Sequence, residues 1–124
     1  MPRPVGTAAE TAFAHPVELE LALVFDANGI VWEYEPHTFV LERHPDGSIK
    51  EAFTPDFHLP EIGMYVECTV MRQRWTSRKR RKVTKARERL DLSVEILFRH
   101  DFQRLADRWR LRALGRAANS RSEV

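Results

Sequence analysis

Two carboxylates stand eleven residues apart in the stretch FTPDFHLPEIGMYVECTV, residues 53–70. Asp56 follows a proline and taken alone is more typical of a turn. Glu67 lies inside an apolar run that predicts a central strand. A carboxylate in a buried strand is costly to desolvate unless it is paired or bound to a cation. Glu67 therefore predicts either a salt bridge to one of the many arginines or a cation site shared with Asp56.

A third acid, Glu18, is predicted to point into the core from the first helix. At about 100° per residue it lies among the apolar side chains of Leu21, Ala22 and Phe25, whereas Glu20 is about 200° away. A first-turn acid also suits the helix dipole, but the dipole does not explain an inward direction. Three inward acids repel one another, and a hard divalent cation such as Mg²⁺ removes that repulsion. A water on such an ion can attack a phosphodiester.

The basic segment, residues 72–89, holds 10 Lys/Arg and one acid. The net charge is only +2, because residues 1–71 carry 12 acids and 3 Lys/Arg (−9) while residues 72–124 carry 6 acids and 17 Lys/Arg (+11). Such segregation favours a negatively charged partner over a merely solvated surface. A helix so uniformly charged destabilises itself, which favours contact with a phosphate backbone. The side chains predicted to bind nucleic acid are Arg72, Arg74, Arg78, Arg80, Arg81, Lys82 and Lys85.

The elements that position these residues follow from periodicity and end signals. The first helix is predicted to begin at Pro16 and to end before Gly29. Ser77 is predicted to cap a helix over 78–90, and Asp101 a last helix. Strands are predicted over 30–36 with its continuation 37–43, and over 49–53, 64–70 and 92–98, with a short extended piece over 56–60. The predicted order is α-β-β-β-α-β-α, an α/β fold with one mixed central sheet flanked by helices.

A chain of 124 residues is one domain by length, and 43% hydrophobic with 31% charged residues is typical of a globular protein. We expect a flexible N-terminal arm over residues 1–14, the domain over 15–115 and a polar tail over 116–124. Apolar runs fall short of the roughly 20 residues that span a membrane, and the start has no apolar region typical of a secretory signal. A single cysteine, Cys68, favours a reducing cytoplasm.

In combination, Glu18 on the first helix, TPDF with Asp56 and YVECT with Glu67 resemble the PD-(D/E)XK nuclease superfamily. VWEYEPHTF and FRHDF resemble small TnsA-like or Holliday-resolvase-like domains of bacterial proteins. The resemblance covers about residues 15–110 and implies a restriction-endonuclease-like core and a Mg²⁺- or Mn²⁺-dependent endonuclease acting on DNA. It implies Asp56, Glu67 and the Cys68 carbonyl as metal ligands, with Glu18 reaching the metal directly or through water.

The superfamily's lysine falls at Thr69 in this chain. Very-short-patch repair endonucleases, which share the fold, also carry a threonine there, so Thr69 does not by itself indicate an inactive protein. A threonine hydroxyl can bond an attacking water but brings no positive charge.

The helix that follows contains a lysine that could supply this charge. Lys79 lies within about 40° of Val83, Ala86 and Leu90, the stripe predicted to be buried. We predict that Lys79 extends from the first turn of its helix toward the strand of Glu67, with Lys82 as second choice.

Three functions remain open from the sequence. The first is a DNA endonuclease, which the three inward acids favour. The second is a non-catalytic DNA-binding or assembly module, which Thr69 favours. The third is a nuclease acting on RNA, which the sequence does not separate from the first. A homodimer or a larger protein assembly is compatible with each, and no membrane partner is expected.

The basic segment generates a prediction about salt. If about six phosphates are neutralised, DNA affinity should fall about a thousandfold between roughly 50 and 200 mM salt. Replacing Arg78, Arg80 and Arg81 by Ala should flatten that slope, measured by fluorescence anisotropy with a labelled duplex. An unchanged slope would place the binding surface elsewhere, with the arginines of the last helix the first candidates.

Overall fold

The computed structural model describes residue 8, residues 11–69 and residues 73–111, with the backbone alone for 73–76. The chain has an α/β fold with a mixed four-stranded sheet, a separate two-stranded hairpin and three helices. In chain order the elements are α1 (Pro16–Ala27), β1 (Glu33–Tyr34), β2 (Phe39–Arg43), β3 (Ile49–Phe53), β4 (Phe57–Leu59), β5 (Met64–Thr69), α2 (Gln73–Leu90) and β6 (Val94–Phe98). A 3-10 turn, Arg99–Asp101, leads into α3, helical over 102–111.

The four-stranded sheet has the order β1-β4-β5-β6. β4 is antiparallel to both of its neighbours, whereas β6 is parallel to β5. A parallel pair requires a crossover connection, and α2 provides it. The register pairs Phe57 with Val66, so Asp56, one residue earlier, comes beside Glu67 on β5. The sheet therefore brings the two acids together at its centre.

The first helix follows its predicted limits. Pro16 occupies the first helical position, and His15 before it makes no side-chain capping bond. At the other end Gly29 takes a left-handed φ of 68° and donates its N–H to the Asp26 carbonyl. The N–H of Ile30 donates to the Phe25 carbonyl at 2.9 Å, which completes a Schellman motif. This ending turns the chain sharply toward β1.

Two apolar cores cover the two faces of the sheet. The larger lies between α1, α3 and one face, and includes Phe25, Trp32, Phe57, Val66, Cys68, Leu97 and Trp109. The smaller joins α2 and the β2–β3 hairpin to β6 and contains Leu41, Phe53, Val83, Ala86 and Val94. Because both faces are covered, β5 is buried on both sides, as predicted from a run that is apolar except at Glu67.

The predicted strands differ from the observed ones in number and pairing. Five strands, rather than three, separate α1 from α2. The strand predicted over 30–36 is reduced to Glu33–Tyr34, because Glu35 adopts a φ of 45° that ends the extended backbone. The prediction of one sheet is wrong, since β2 and β3 pair only with each other. Strand alternation reports which side chains are buried but not which strand lies alongside.

One helix boundary and one buried position also differ. The second helix begins at Gln73, so Ser77 lies inside it and is not its cap. Asp101 directly precedes α3, where the last helix was predicted to begin; it is the last residue of the 3-10 turn and accepts a hydrogen bond from Arg104 at 2.7 Å. Leu90, predicted to be buried, ends α2 and is 39% exposed. Helical angles place a residue on a face, but they do not show where along the axis the neighbouring strands stop.

Some residues before residue 15, the predicted start of the domain, also pack against the domain. Ala8 is buried in the larger core, and the Phe13 ring packs edge-on against Tyr34 at 4.7 Å between centroids. The tail predicted over 116–124 lies outside the described residues. Within the described part of the chain, each helix is too short or too polar to cross a membrane.

The larger core generates a stability prediction. Phe57 is fully buried and contacts four aromatic rings, those of Phe13, Phe25, Trp32 and Tyr34. Phe57→Ala should lower the free energy of unfolding by about 3–5 kcal/mol in urea titrations. Leu23→Ala, at a side chain 52% exposed, is the control and should cost less than about 1 kcal/mol. Equal losses would show that the ring cluster does not hold the fold.

Candidate functional site

Asp56 and Glu67, the carboxylate pair, are fixed to each other through the backbone. The N–H of Asp56 donates to Glu67 Oε1 at 2.8 Å, and the N–H of Cys68 donates to Asp56 Oδ2 at 3.0 Å. Glu67 is only 5% exposed. Each carboxylate thus has one oxygen held by a main-chain donor of the neighbouring strand, which leaves little freedom for either group to turn away.

The ammonium group of Lys79 lies against this pair. Its Nζ donates to the Cys68 carbonyl at 2.6 Å and lies 3.5 Å from Glu67 Oε2 and 3.9 Å from Asp56 Oδ2. The Lys79 side chain points toward the strand of Glu67, as the helical spacing predicted. Lys79 lies in the second turn of α2 and not in the first, because the helix begins at Gln73. Among the described residues, the salt bridge of Glu67 is therefore to Lys79 and not to an arginine. The role of Lys79 in cleavage stays a prediction.

Burial shifts the titration of both acids upward. It raises the pKa of Asp56 to about 6, against the attraction of Lys79. It raises the pKa of Glu67 to about 8, with repulsion from Asp56 as the second cause and Lys79 opposing both. One ammonium thus offsets only part of the charge of two carboxylates in this buried place. The site has capacity for a further positive charge.

Glu18 points inward as predicted and is 4% exposed. Its Oε1 accepts a hydrogen bond from the Tyr34 hydroxyl at 2.5 Å, and its charge contributes to the raised pKa of Asp56. Burial and this bond raise the pKa of Tyr34. Tyr34 was missed by the sequence reasoning. Its alternation with the buried Trp32 is the signal that could have placed it on the α1 side of the sheet.

The two residues after Glu67 lie on opposite faces of β5. Cys68 points into the larger core, and burial raises the pKa of its thiol, with Asp56 adding to the effect. Thr69 is 3% exposed and pairs with Phe98 of β6. Thr69 lies on the same face of β5 as Glu67, beside the candidate site, as predicted. Its role in cleavage stays a prediction.

A second polar group lies beside the carboxylate pair on the same face of the sheet. His58 Nδ1 contacts Glu33 Oε1 at 2.6 Å, and His37 Nδ1 contacts the Tyr65 hydroxyl at 2.8 Å. The rings of His58 and Tyr65 are 4.5 Å apart. From the sequence, His58 was considered as a side chain that could assist at a site, but its partners were not predicted. The signal for this group was the strand spacing, because His58 and Tyr65 stand two residues from Asp56 and Glu67 respectively.

The side chains predicted to bind nucleic acid divide into three sets. Arg72 and the side chain of Arg74 lie outside the described residues. Lys82 and Lys85 hold the hairpin, through the Ala52 carbonyl at 3.1 Å and Glu51 at 2.7 Å. Those left on the exposed surface are Arg78, Arg80 and Arg81. Of the five predicted side chains that the structure describes, three are therefore exposed.

The donor chemistry of the site suits a hard divalent ion. Two carboxylates and the Cys68 carbonyl offer the oxygen ligands that Mg²⁺ and Mn²⁺ prefer. These oxygens surround the Lys79 ammonium instead, and the described residues contain no group of three or more His, Cys, Asp or Glu arranged to hold a metal ion. The residues therefore fit a metal ion on the condition that Lys79 moves.

Comparisons of this chain with protein-family models, with curated proteins and with solved structures find no match. The resemblance to the PD-(D/E)XK superfamily therefore rests on the residues themselves.

The raised pKa values generate a prediction about pH. Both acids bind protons more tightly in the native state than in the unfolded chain, so stability without divalent metal should fall as pH rises from about 5 to 8. The loss should be on the order of a few kcal/mol, and Glu67→Gln should remove most of it. Urea unfolding at each pH in the presence of a chelator measures the effect.

Glu51→Gln is the matched control for this titration. Lys85 lowers the pKa of Glu51 in the folded protein. The stability that Glu51 contributes is therefore present above the pKa that it has in the unfolded chain, and is lost only at acid pH. The control protein should keep the fall between pH 5 and 8. A Glu67→Gln protein with the same fall as the unmodified protein would contradict the assignment.

Proposed function

We propose that this protein is a metal-dependent endonuclease-like domain of the PD-(D/E)XK type, with a restriction-endonuclease-like core, that hydrolyses phosphodiester bonds in DNA. One observation carries the proposal. Two buried carboxylates on adjacent strands share a lysine ammonium that lies within 3.9 Å of both. An acid just before β4 and an acid on β5, with a cation between them, form a combination that suits phosphodiester cleavage.

Each residue of the site has a task in this proposal. Asp56, Glu67 and the Cys68 carbonyl would hold Mg²⁺ or Mn²⁺, and the hydrogen bonds between β4 and β5 fix their oxygens. When bound, such an ion supplies an activated water and offsets charge on the phosphate. Lys79 supplies positive charge to the phosphate oxygens as negative charge develops on them. Glu18, held by Tyr34, orders the α1 side of the site.

The substrate surface is the exposed side of α2. Arg78, Arg80 and Arg81 flank Lys79 in sequence and face solvent, which suits contacts with a phosphate backbone. DNA is the proposed substrate. A parallel cleavage assay with RNA distinguishes this proposal from a nuclease that acts on RNA. A cytoplasmic location and assembly with a second copy or with other proteins belong to the same proposal.

A non-catalytic DNA-binding or assembly module is the second candidate. The bond from Lys79 to the Cys68 carbonyl favours it, because an internal cation already fills the position between the oxygens. Thr69, buried where the superfamily has its lysine, favours it as well. This candidate binds DNA with the same dependence on salt but cuts nothing.

Cleavage assays separate the two candidates. Nicking of supercoiled and branched DNA should occur with Mg²⁺ or Mn²⁺ and should be lost in Asp56→Ala. Lys79→Ala should lower the rate by about a hundredfold or more, the effect of losing one electrostatic stabiliser, with a far smaller change in DNA affinity. Lys50→Ala is the control, because Lys50 is exposed and pairs only loosely with Glu42, at 3.4 Å.

Two further results decide the role of lysine. Thr69→Lys in the Lys79→Ala background should restore cleavage if the two positions serve one function, once circular dichroism shows that the buried lysine is tolerated. Normal cleavage by Lys79→Ala would show that Lys79 is not the stabilising cation. A protein that cuts neither DNA nor RNA with either metal is the non-catalytic module.

A further inference from the structure

The three oxygen groups of the candidate metal site converge on one nitrogen. Lys79 Nζ lies 2.6 Å from the Cys68 carbonyl oxygen, 3.5 Å from Glu67 Oε2 and 3.9 Å from Asp56 Oδ2. An ammonium group has three donors and no acceptor, so a position among oxygens satisfies it. Mg²⁺ binds its oxygen ligands at about 2.0–2.1 Å. Two cations would repel each other strongly if both contacted the same carbonyl and the same buried carboxylates.

The oxygens and the ammonium differ in their freedom to move. One oxygen of Asp56 and one of Glu67 are anchored by main-chain N–H groups of the neighbouring strands. The Lys79 side chain is 30% exposed and reaches the site on a flexible four-carbon stem. Its terminal group can turn toward solvent without disturbing the sheet, whereas the oxygens cannot leave without breaking bonds between β4 and β5.

We infer that the Lys79 ammonium is a resident cation of this site, which a divalent metal ion must displace in order to bind. Occupancy by metal and occupancy by Lys79 are mutually exclusive. The inference rests on the proposed metal-binding function and describes how metal binding is regulated. A displaced Lys79 adds a solvent-exposed cation beside the site, where it can contact a phosphate. By reciprocity, DNA that recruits Lys79 opens the site, so metal and DNA each strengthen the binding of the other.

Metal binding without DNA tests the inference. Lys79→Met keeps the stem and removes the competing charge, so its affinity for Mn²⁺ in calorimetry should exceed that of the unmodified protein by about tenfold to a hundredfold. Its melting temperature in chelator should be lower than that of the unmodified protein, and the gain on adding Mn²⁺ should be larger. Lys50→Met, which removes an exposed lysine paired with Glu42, should leave Mn²⁺ affinity unchanged.

The outcomes separate the inference from the function on which it rests. Mn²⁺ binding of equal or lower affinity in Lys79→Met overturns displacement while leaving the metal site in place. No Mn²⁺ binding by either protein overturns both displacement and the metal-dependent function. Tighter binding by Lys79→Met, including binding seen in that variant alone, supports displacement.

A measurement on the unmodified protein guards against a variant that does not fold. Acylation of lysine amines by a water-soluble succinimidyl ester, read by mass spectrometry, should increase at Lys79 when Mn²⁺ is added, because the amine is released to solvent. Labelling of Lys50 should stay constant. Mn²⁺ binding seen in calorimetry without increased labelling of Lys79 would overturn the inference.

Discussion

Two carboxyl groups are buried side by side in the centre of a small sheet, and the cost of charging both of them is the constraint around which the molecule is arranged. Asp56 and Glu67 come together because β4 and β5 are antiparallel neighbours, and their burial raises the pKa of both. Main-chain donors and the Lys79 ammonium reduce the penalty but do not cancel it. Placing carboxylates here is unfavourable for stability alone, which supports the proposal that they bind a cation.

The position of α2 follows from this constraint. The parallel pairing of β5 with β6 requires a crossover on one face, and the face chosen is the one that carries Glu67 and Thr69. Val83 and Ala86 seat the helix in the smaller core, while its flanking lysines and arginines bond hairpin and strand carbonyls. The hairpin's acids, Glu42 and Glu51, offset part of the positive charge. A helix that would repel itself in isolation is thereby held where its lysine meets the carboxylates.

The sequence predicted the site better than it predicted the sheet, for a physical reason. The inward direction of Glu18 and the reach of Lys79 depend on helical angles, which are local and regular. The adjacency of Asp56 and Glu67 needs only two neighbouring strands. Pairing between distant strands, by contrast, is decided by tertiary packing, so the separation of the β2–β3 hairpin from the sheet was not predicted. The bond from Tyr34 to Glu18 was missed likewise, because it joins groups sixteen residues apart.

The single cysteine has a practical consequence. Its thiol is buried in the larger core and sits 3.5 Å from Asp56 Oδ2, and its raised pKa keeps it in the unreactive protonated form. The thiolate is the nucleophile that attacks an alkylating reagent, so reaction at Cys68 requires that the larger core covering this face of β5 first opens. Because the chain has one cysteine, a label at a thiol reports on that core alone. The rate of alkylation in native buffer therefore measures how often the larger core opens at β5, without any substitution in the protein.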